Sequence, residues 1–277
     1  MKRLLNIEWN KIFYNKGTRI FVILYFAMIV AMGVILPVFK INVNGIDLNL
    51  VKMGGLKIPY IWHNLVWLIA FGKFFLAVIL INNISNEYAF GTIKQNMIDG
   101  LSKKEFFASK LLSTLLLALG STVFVFLAGL VLAFFKNENV NILSGSSFVL
   151  GYFVEITNYL LIAVFLSFLL KKSAFAILAL FVLSFGETII KGIEYLVRMY
   201  IKTGENLDEK MTLLSSYLPF NSNSSIVGYP AVDIGNYLTK GELFVASSVN
   251  WASFSVNILY CFLFIYGSLA LLKKRDL

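Results

Sequence analysis

The chain has 277 residues, of which 58 % are hydrophobic and 14 % charged. Soluble domains carry about 25 % charge, so the composition excludes an ordinary soluble domain and points to an integral membrane protein. One cysteine, Cys261, excludes a disulfide within the chain, and one histidine, His63, excludes a multi-histidine metal site, while the net charge of +9 has to be read by position.

Residues 1–18 are polar and basic but patterned. Leu5, Trp9, Ile12 and Phe13 fall within an arc of about 100°, the width of an apolar helix stripe, with Lys2, Arg3, Lys11 and Lys16 around it. The segment reads as an amphipathic helix on a membrane surface. It is not a cleavable signal, because the apolar run behind it is too long and ends in Leu36-Pro37-Val38-Phe39 without a small-residue cleavage site.

A first span is expected over residues 20–39, followed by a polar link containing Gly45, Gly54, Gly55 and Pro59. A second runs from about Trp62 to Ile84 and a third from Leu111 to Phe135, each near the roughly 20 apolar residues that cross a bilayer. The fourth covers 148–170 and is followed by the basic turn Lys171-Lys172-Ser173. The fifth starts at Ala174 but meets Glu187 early. A long polar section over 198–250 precedes the sixth, from Trp251 to Leu272, and a basic tail. Within the polar section, Asn221-Ser222-Asn223-Ser224-Ser225 reads as a short flexible link, with a weak glycosylation pattern at Asn223. The expected fold class is thus an all-α integral membrane protein: one domain over 1–277, six transmembrane helices, an N-terminal interfacial helix and a short helix in the loop 86–110.

Six spans put both termini on one side. Fourteen of the 24 Lys and Arg lie in the termini, the loop 84–110 and the turn 171–173. Eight are spread over the longer links of the other face, and Lys73 and Lys191 lie in spans. The positive-inside rule makes both termini cytoplasmic. The basic excess is a topology signal, and no nucleic-acid partner is needed to explain it.

The loop from Asn86 to Lys110 has its own grammar. Tyr88, Ile93 and Met97 form the apolar side of a short surface helix, Asp99-Gly100 is a turn signal, and Ser102-Lys103-Lys104-Glu105 is a capping box that starts the next helix. A loop this ordered between two spans is a docking element.

Ionisable groups inside spans are costly and default to a functional reading. Lys73 in span 2 and Glu155 in span 4 differ in depth by only roughly 6 Å at the rise of a helix. Either they pair, or each reaches an interface or cavity separately. Glu187, Lys191 and Glu194, extended by Arg198, form one helix stripe of alternating sign. The stripe either lines a polar vestibule or neutralises itself at the outer interface. His63 reads as an interfacial residue. Trp62, Trp67, Tyr152, Tyr159 and Trp251 fit an aromatic belt.

The run Glu87-x-x-x-Gly91-Thr92, a short helix, a turn and then basic residues to Lys110 resembles the cytoplasmic loop of type-2 ABC transporter permeases. The family's proline and arginine after the turn are replaced here by Asp99-Gly100 and Lys103-Lys104. The resemblance covers nearly the whole chain and implies an elbow helix before span 1, a coupling helix in this loop, and a short re-entrant or interfacial element after span 5. It also implies two permease subunits, as homo- or heterodimer, and two separate ABC ATPase subunits, in the cytoplasmic membrane of a prokaryotic cell. Glu87, Gly91, Thr92 and Lys94 are the expected contact with the ATPase. This chain has no G-x-x-x-x-G-K-[ST], so it carries no cofactor of its own and ATP-Mg belongs to the partner. H-E-x-x-H and G-x-S-x-G are also missing, and an enzyme is not expected. The expected function is the permease subunit of an ATP-driven exporter of hydrophobic or amphipathic cargo such as a peptide, lipid or drug. The alternative is a membrane sensor, immunity or scaffold protein without ATP coupling.

Overall fold

The computed structural model describes residues 8–11, 14–38, 40–43, 46–49, 60–134, 145–201, 213–230 and 248–274, with backbone alone between 32 and 49. Of the expected leader helix, residues 8–11 and 14 are helical, while Leu5, Ile12 and Phe13 lie outside the described residues. So do 50–59, most of the link after span 3, and 202–212 and 231–247 of the long polar section.

Helix α1 (Lys16–Val38) runs into an antiparallel hairpin, β1 (Lys40–Val43) and β2 (Ile46–Asn49), in the register Lys40 opposite Asn49. Next come α2 (Tyr60–Ile69), a 3-10 turn (Ala70–Gly72) and α3 (Lys73–Ala89), which together make one long apolar rod. The short α4 (Thr92–Ile98) leads to α5 (Lys103–Phe134), α6 (Ser146–Leu170) and α7 (Ser173–Ile201). A 3-10 turn (Leu214–Tyr217), α8 (Pro219–Ser224) and α9 (Trp251–Lys274) complete the chain.

Among the described residues, five rods are long and apolar enough to cross a membrane: Tyr60–Ala89, α5, α6, α7 and α9. Helix α1 has 23 residues, about 35 Å at 1.5 Å per residue. The fifth expected span passes Glu187 without a break, and α7 continues as one helix to Ile201, as a single charged stripe reaching Arg198 requires. Its charged residues sit four, three and four apart, so they occupy one side and leave the helix intact.

The core is organised around α6, on which α9, α3, α5 and α7 all pack. It is largely apolar on every side, as a central helix tends to be, with Glu155 and Asn158 as buried exceptions; Ile156, Leu160, Ala163, Val164 and Phe168 are buried. Helix α7 is the least enclosed rod and exposes Phe175, Leu178, Phe181 and Phe185.

Three of the five aromatics expected in a surface belt are interior. Trp62 is fully buried and stacks on Phe126 at 5.2 Å. Gly129 lies so close that any Cβ there would overlap the indole ring. Tyr152 is also fully buried, its hydroxyl 2.7 Å from that of Tyr25 and 2.8 Å from Ser121 Oγ. The polar tip that suits a tyrosine to an interface is satisfied here inside the bundle. Tyr159 is buried against Phe220. Trp251 is exposed and Trp67 half-buried. His63 is interior as well, stacked on Phe148 at 4.6 Å with Nε2 2.9 Å from Gly228 O.

The expected flexible link at 221–225 is instead mostly α8, with Pro219 in its first turn. Asn221, Ser222 and Asn223 are buried, so the glycosylation pattern at Asn223 is enclosed. Asn257 of α9 donates to Ser222 Oγ at 3.0 Å and accepts from the Asn158 amide, which fixes the element to α6 and α9.

Described residues near both ends of the chain meet the facing ends of α3 and α5. Glu8 and Lys11 pair with Lys110 and Glu87. At the other terminus, Lys103 Nζ donates to Lys273 O at 3.3 Å. The Lys171 turn joins the same end, its ammonium 5.9 Å above the Tyr88 ring.

Candidate functional site

The loop end is built from short-range rules. Helix α3 ends at Phe90, and Gly91 takes φ +68°, a left-handed conformation that turns the chain into α4. Thr92 Oγ1 donates to Glu87 O at 3.4 Å across the turn. Helix α4 closes in a Schellman motif: Leu101 N donates to Asn96 O at 3.0 Å and Gly100 N to Met97 O at 3.2 Å, with Gly100 left-handed. The capping box then forms in full. Glu105 N donates to Ser102 Oγ at 3.2 Å, and Ser102 N donates to Glu105 Oε2 at 2.9 Å.

These turns hold α4 with one face inward and one outward. Ile93 is buried, and Met97 packs on the core. Lys94 is exposed, and Phe90 and Ile98 are 78 % and 84 % exposed at its two ends. Both the aromatic and the aliphatic tip lie outside the candidate spans.

Beneath α4 lies a cluster of four charges. Lys110 is fully buried, and its ammonium donates to both Glu8 oxygens at 2.8 Å, to Glu87 Oε1 at 2.6 Å and to Asn83 Oδ1 at 3.0 Å. Lys11 donates to Glu87 Oε1 at 2.6 Å and to Glu8 Oε1 at 3.3 Å. Two carboxylates and two ammoniums therefore cancel, and the leader helix is tied to α3 and α5. Burial pushes the Glu8 carboxyl up, but the attraction of Lys110 and Lys11 outweighs it and leaves the group below the ordinary glutamate value. Burial pushes Lys11 down, and Glu87 and Glu8 more than reverse this, so it titrates above an ordinary lysine.

The four residues expected at a partner contact thus separate. Gly91 and Lys94 face outward and Thr92 is half-buried. Glu87 is only 4 % exposed and engaged by two lysines, so the side chain expected to pair with a partner holds this chain together instead. Lys110 is fully buried, so withdrawing Glu87 from it would leave a buried charge less well compensated, which is the costly state.

The second polar region lies about 21 Å away along α3, counted from Glu87 to Lys73. Lys73 Nζ stands 2.6 Å from Glu155 Oε1 and 5.1 Å above the Tyr159 ring. The pair borders a cavity of about 630 Å³. Trp67, Phe71, Phe74, Phe220 and Tyr229 give it an aromatic wall. Helix α7 adds Ser184, Thr188 and Lys191. The 3-10 turn Ala70–Gly72 interrupts the rod directly beside Lys73, so irregular backbone lies at the cavity edge.

The stripe on α7 divides between two tasks. Glu187 Oε2 accepts from Phe220 N at 2.8 Å and Asn221 N at 3.0 Å, capping α8 from outside. Glu194 accepts from Leu214 N, Ser215 N and Arg198. Lys191 lines the cavity beside Thr188. Of the alternating pairs expected along this stripe, Glu194–Arg198 forms at 2.6 Å. Glu187 is taken by backbone amides instead, which leave the start of α8 without intrahelical partners.

Glu8, Asn83 and Lys110 were not expected at a site, although a lysine and an asparagine at the ends of apolar runs are visible in sequence. Their shared partner was hidden because Glu8 is 102 residues from Lys110. No family model matches this chain, and no curated protein matches it.

Proposed function

We propose that this chain is the membrane subunit of an ATP-driven transporter, and that the α4 loop receives a separate ATPase. In this reading α1 is the sixth span and the leader helix is an elbow on the cytoplasmic surface. The end holding both termini and α4 then faces the cytoplasm, as the basic bias of the sequence favours. Two such subunits form the transport unit, and the cargo is hydrophobic or amphipathic.

The observation that carries this reading is the rigid, outward presentation of Phe90, Lys94 and Ile98 above a neutral, buried clasp. A passive connector needs neither paired helix caps nor two exposed large apolar tips. The clasp joins α3, α5 and the leader helix to one another, and α4 follows α3 directly in the chain, so force applied to α4 has a route to three elements. Apolar anchors surrounded by charge are what a protein interface uses for affinity and orientation.

A photo-reactive amino acid in place of Ile98 tests this in native membranes, with adducts identified by mass spectrometry. The expected adduct contains a phosphate-loop ATPase, and adding Phe90→Asp reduces it at least fivefold. A photo-reactive group at Tyr229, at the opposite end, gives none. Absence of an ATPase adduct from position 98 contradicts the proposal.

A further inference from the structure

We infer that the cavity beside the Lys73–Glu155 pair is a binding site for a single-chain anionic amphiphile, with the headgroup at Lys191 and the chain on the aromatic wall. The first argument is size and form. A cavity of about 630 Å³ lies within the range of roughly 300–1,000 Å³ typical of small-molecule sites. Its lining holds both a set of aromatic rings and a set of polar side chains contributed by α7 and α8, which suits a molecule with two ends rather than a wholly polar or wholly apolar one.

The second argument is charge. Lys73 and Glu155 neutralise each other at 2.6 Å, which leaves Lys191 as the uncompensated cation among the described lining residues. The carboxylates nearest to it in sequence, Glu187 and Glu194, are both directed elsewhere, to the backbone amides of Phe220 and Asn221 and of Leu214 and Ser215. Thr188 and Ser184 place hydroxyls on the same cavity face as Lys191, three and seven residues earlier, where a helix repeats its side. The Lys191 ammonium and the Ser184 hydroxyl supply donors that a phosphate or carboxylate accepts, the Thr188 hydroxyl being committed to Ser184 O at 3.0 Å.

The third argument is the rim. Phe71 and Tyr229 are 67 % and 81 % exposed although both line the cavity, and Trp67 bridges them at 5.5 and 5.3 Å. Three aromatic rings at a mouth form an apolar platform that remains open in this structure. The headgroup at Lys191 and a chain laid on Trp67 and Phe71 satisfy both halves together.

The site is tested without the ATPase, so the outcome is independent of the transport proposal. The purified chain in dodecyl maltoside is titrated with dodecyl phosphate, and bound adducts are counted by native mass spectrometry. The neutral detergent has the same chain length, so any gain reports the headgroup. The expected result is one saturable adduct per chain. Lys191→Gln should weaken it roughly tenfold, the loss of about one charge-assisted hydrogen bond, and Lys191→Arg should restore it. Trp67→Ala should weaken it as well, and inorganic phosphate at equal concentration should not displace it. Unchanged binding in Lys191→Gln, with helix content and melting intact, overturns the inference. So does equal displacement by inorganic phosphate, which would mark a simple anion site, or the absence of a saturable adduct.

Discussion

At the loop end, Lys110 is enclosed and its ammonium is saturated by Glu8, Glu87 and Asn83, whereas at the opposite end Lys73 meets one carboxylate and borders open space. Both are ion pairs between distant segments of an apolar bundle. They differ in what surrounds them. The four-charge clasp encloses Lys110, Glu8 and Glu87, leaves only Lys11 partly exposed, and holds elements together. The pair at Lys73 lies where α3 begins after a 3-10 turn, with a cavity and an aromatic wall beside it. The first arrangement fixes a shape, and the second leaves room for a ligand. Buried charge by itself therefore does not mark a binding site; unfilled volume next to it does.

The sharpest way to break that contrast is to remove one lysine from each. Lys110→Met leaves Glu8 and Glu87 buried with Lys11 alone, and an uncompensated buried charge costs about 3–5 kcal/mol. Its expected result is a large drop in melting temperature and release of residues 8–11 in hydrogen exchange. Lys73→Met should cost less, about 1–3 kcal/mol, because Glu155, although only 2 % exposed, lines a cavity that water can enter once the ammonium is gone. Equal losses in the two variants would erase the distinction.

A second difference is in pH response. The Glu8 pKa is depressed by Lys110 and Lys11, so its contribution is present above the unfolded glutamate value of about 4.3 and is lost as pH falls through the folded value. The Lys11 pKa is raised, so its contribution is present below about 10.4 and is lost as pH rises through the folded value. Docking of the leader helix, followed by Trp9 fluorescence, should stay flat between about pH 5 and 10 and loosen outside that window. A transition near neutral pH would contradict the assigned pairs.

The smallest expected effect is at Gly91. Its φ of +68° suits glycine, and a Cβ there meets no atom within 4 Å. Gly91→Ala therefore costs only the left-handed backbone term, about 1 kcal/mol. It should speed exchange of the Lys94 and Gln95 amides, which donate to Gly91 O, and leave the melting temperature nearly unchanged.

The parts legible in the sequence were those set by neighbours in the chain. The capping box at Ser102–Glu105, the turn at Asp99-Gly100 and the apolar rods follow from residues within a few positions of one another. Long-range pairing was less accessible. The depth argument brought Lys73 level with Glu155, but Glu87 looked like a surface carboxylate until Lys110 and Lys11 were placed around it. Trp62 and Tyr152 looked interfacial because aromatic residues with a polar tip favour that zone. Gly129 and the hydroxyls of Tyr25 and Ser121 make an interior place for them, and those partners lie on other helices. The polar run at 221–225 looked like a linker because its hydrogen-bond partners, Glu187, Asn257 and Ser215, are contributed from elsewhere.

The most direct measurement is the sidedness of the two ends, since the proposed ATPase could reach α4 only from the cytoplasm. In a Cys261→Ser background, Ile98→Cys and Tyr229→Cys each introduce one exposed thiol, at positions 84 % and 81 % exposed in the native residues. A membrane-impermeant maleimide is applied to intact cells and then to inverted vesicles. The account predicts labelling of position 229 in cells and of position 98 only in inverted vesicles. Labelling of position 98 from outside the cell, or of both from one side, would contradict it.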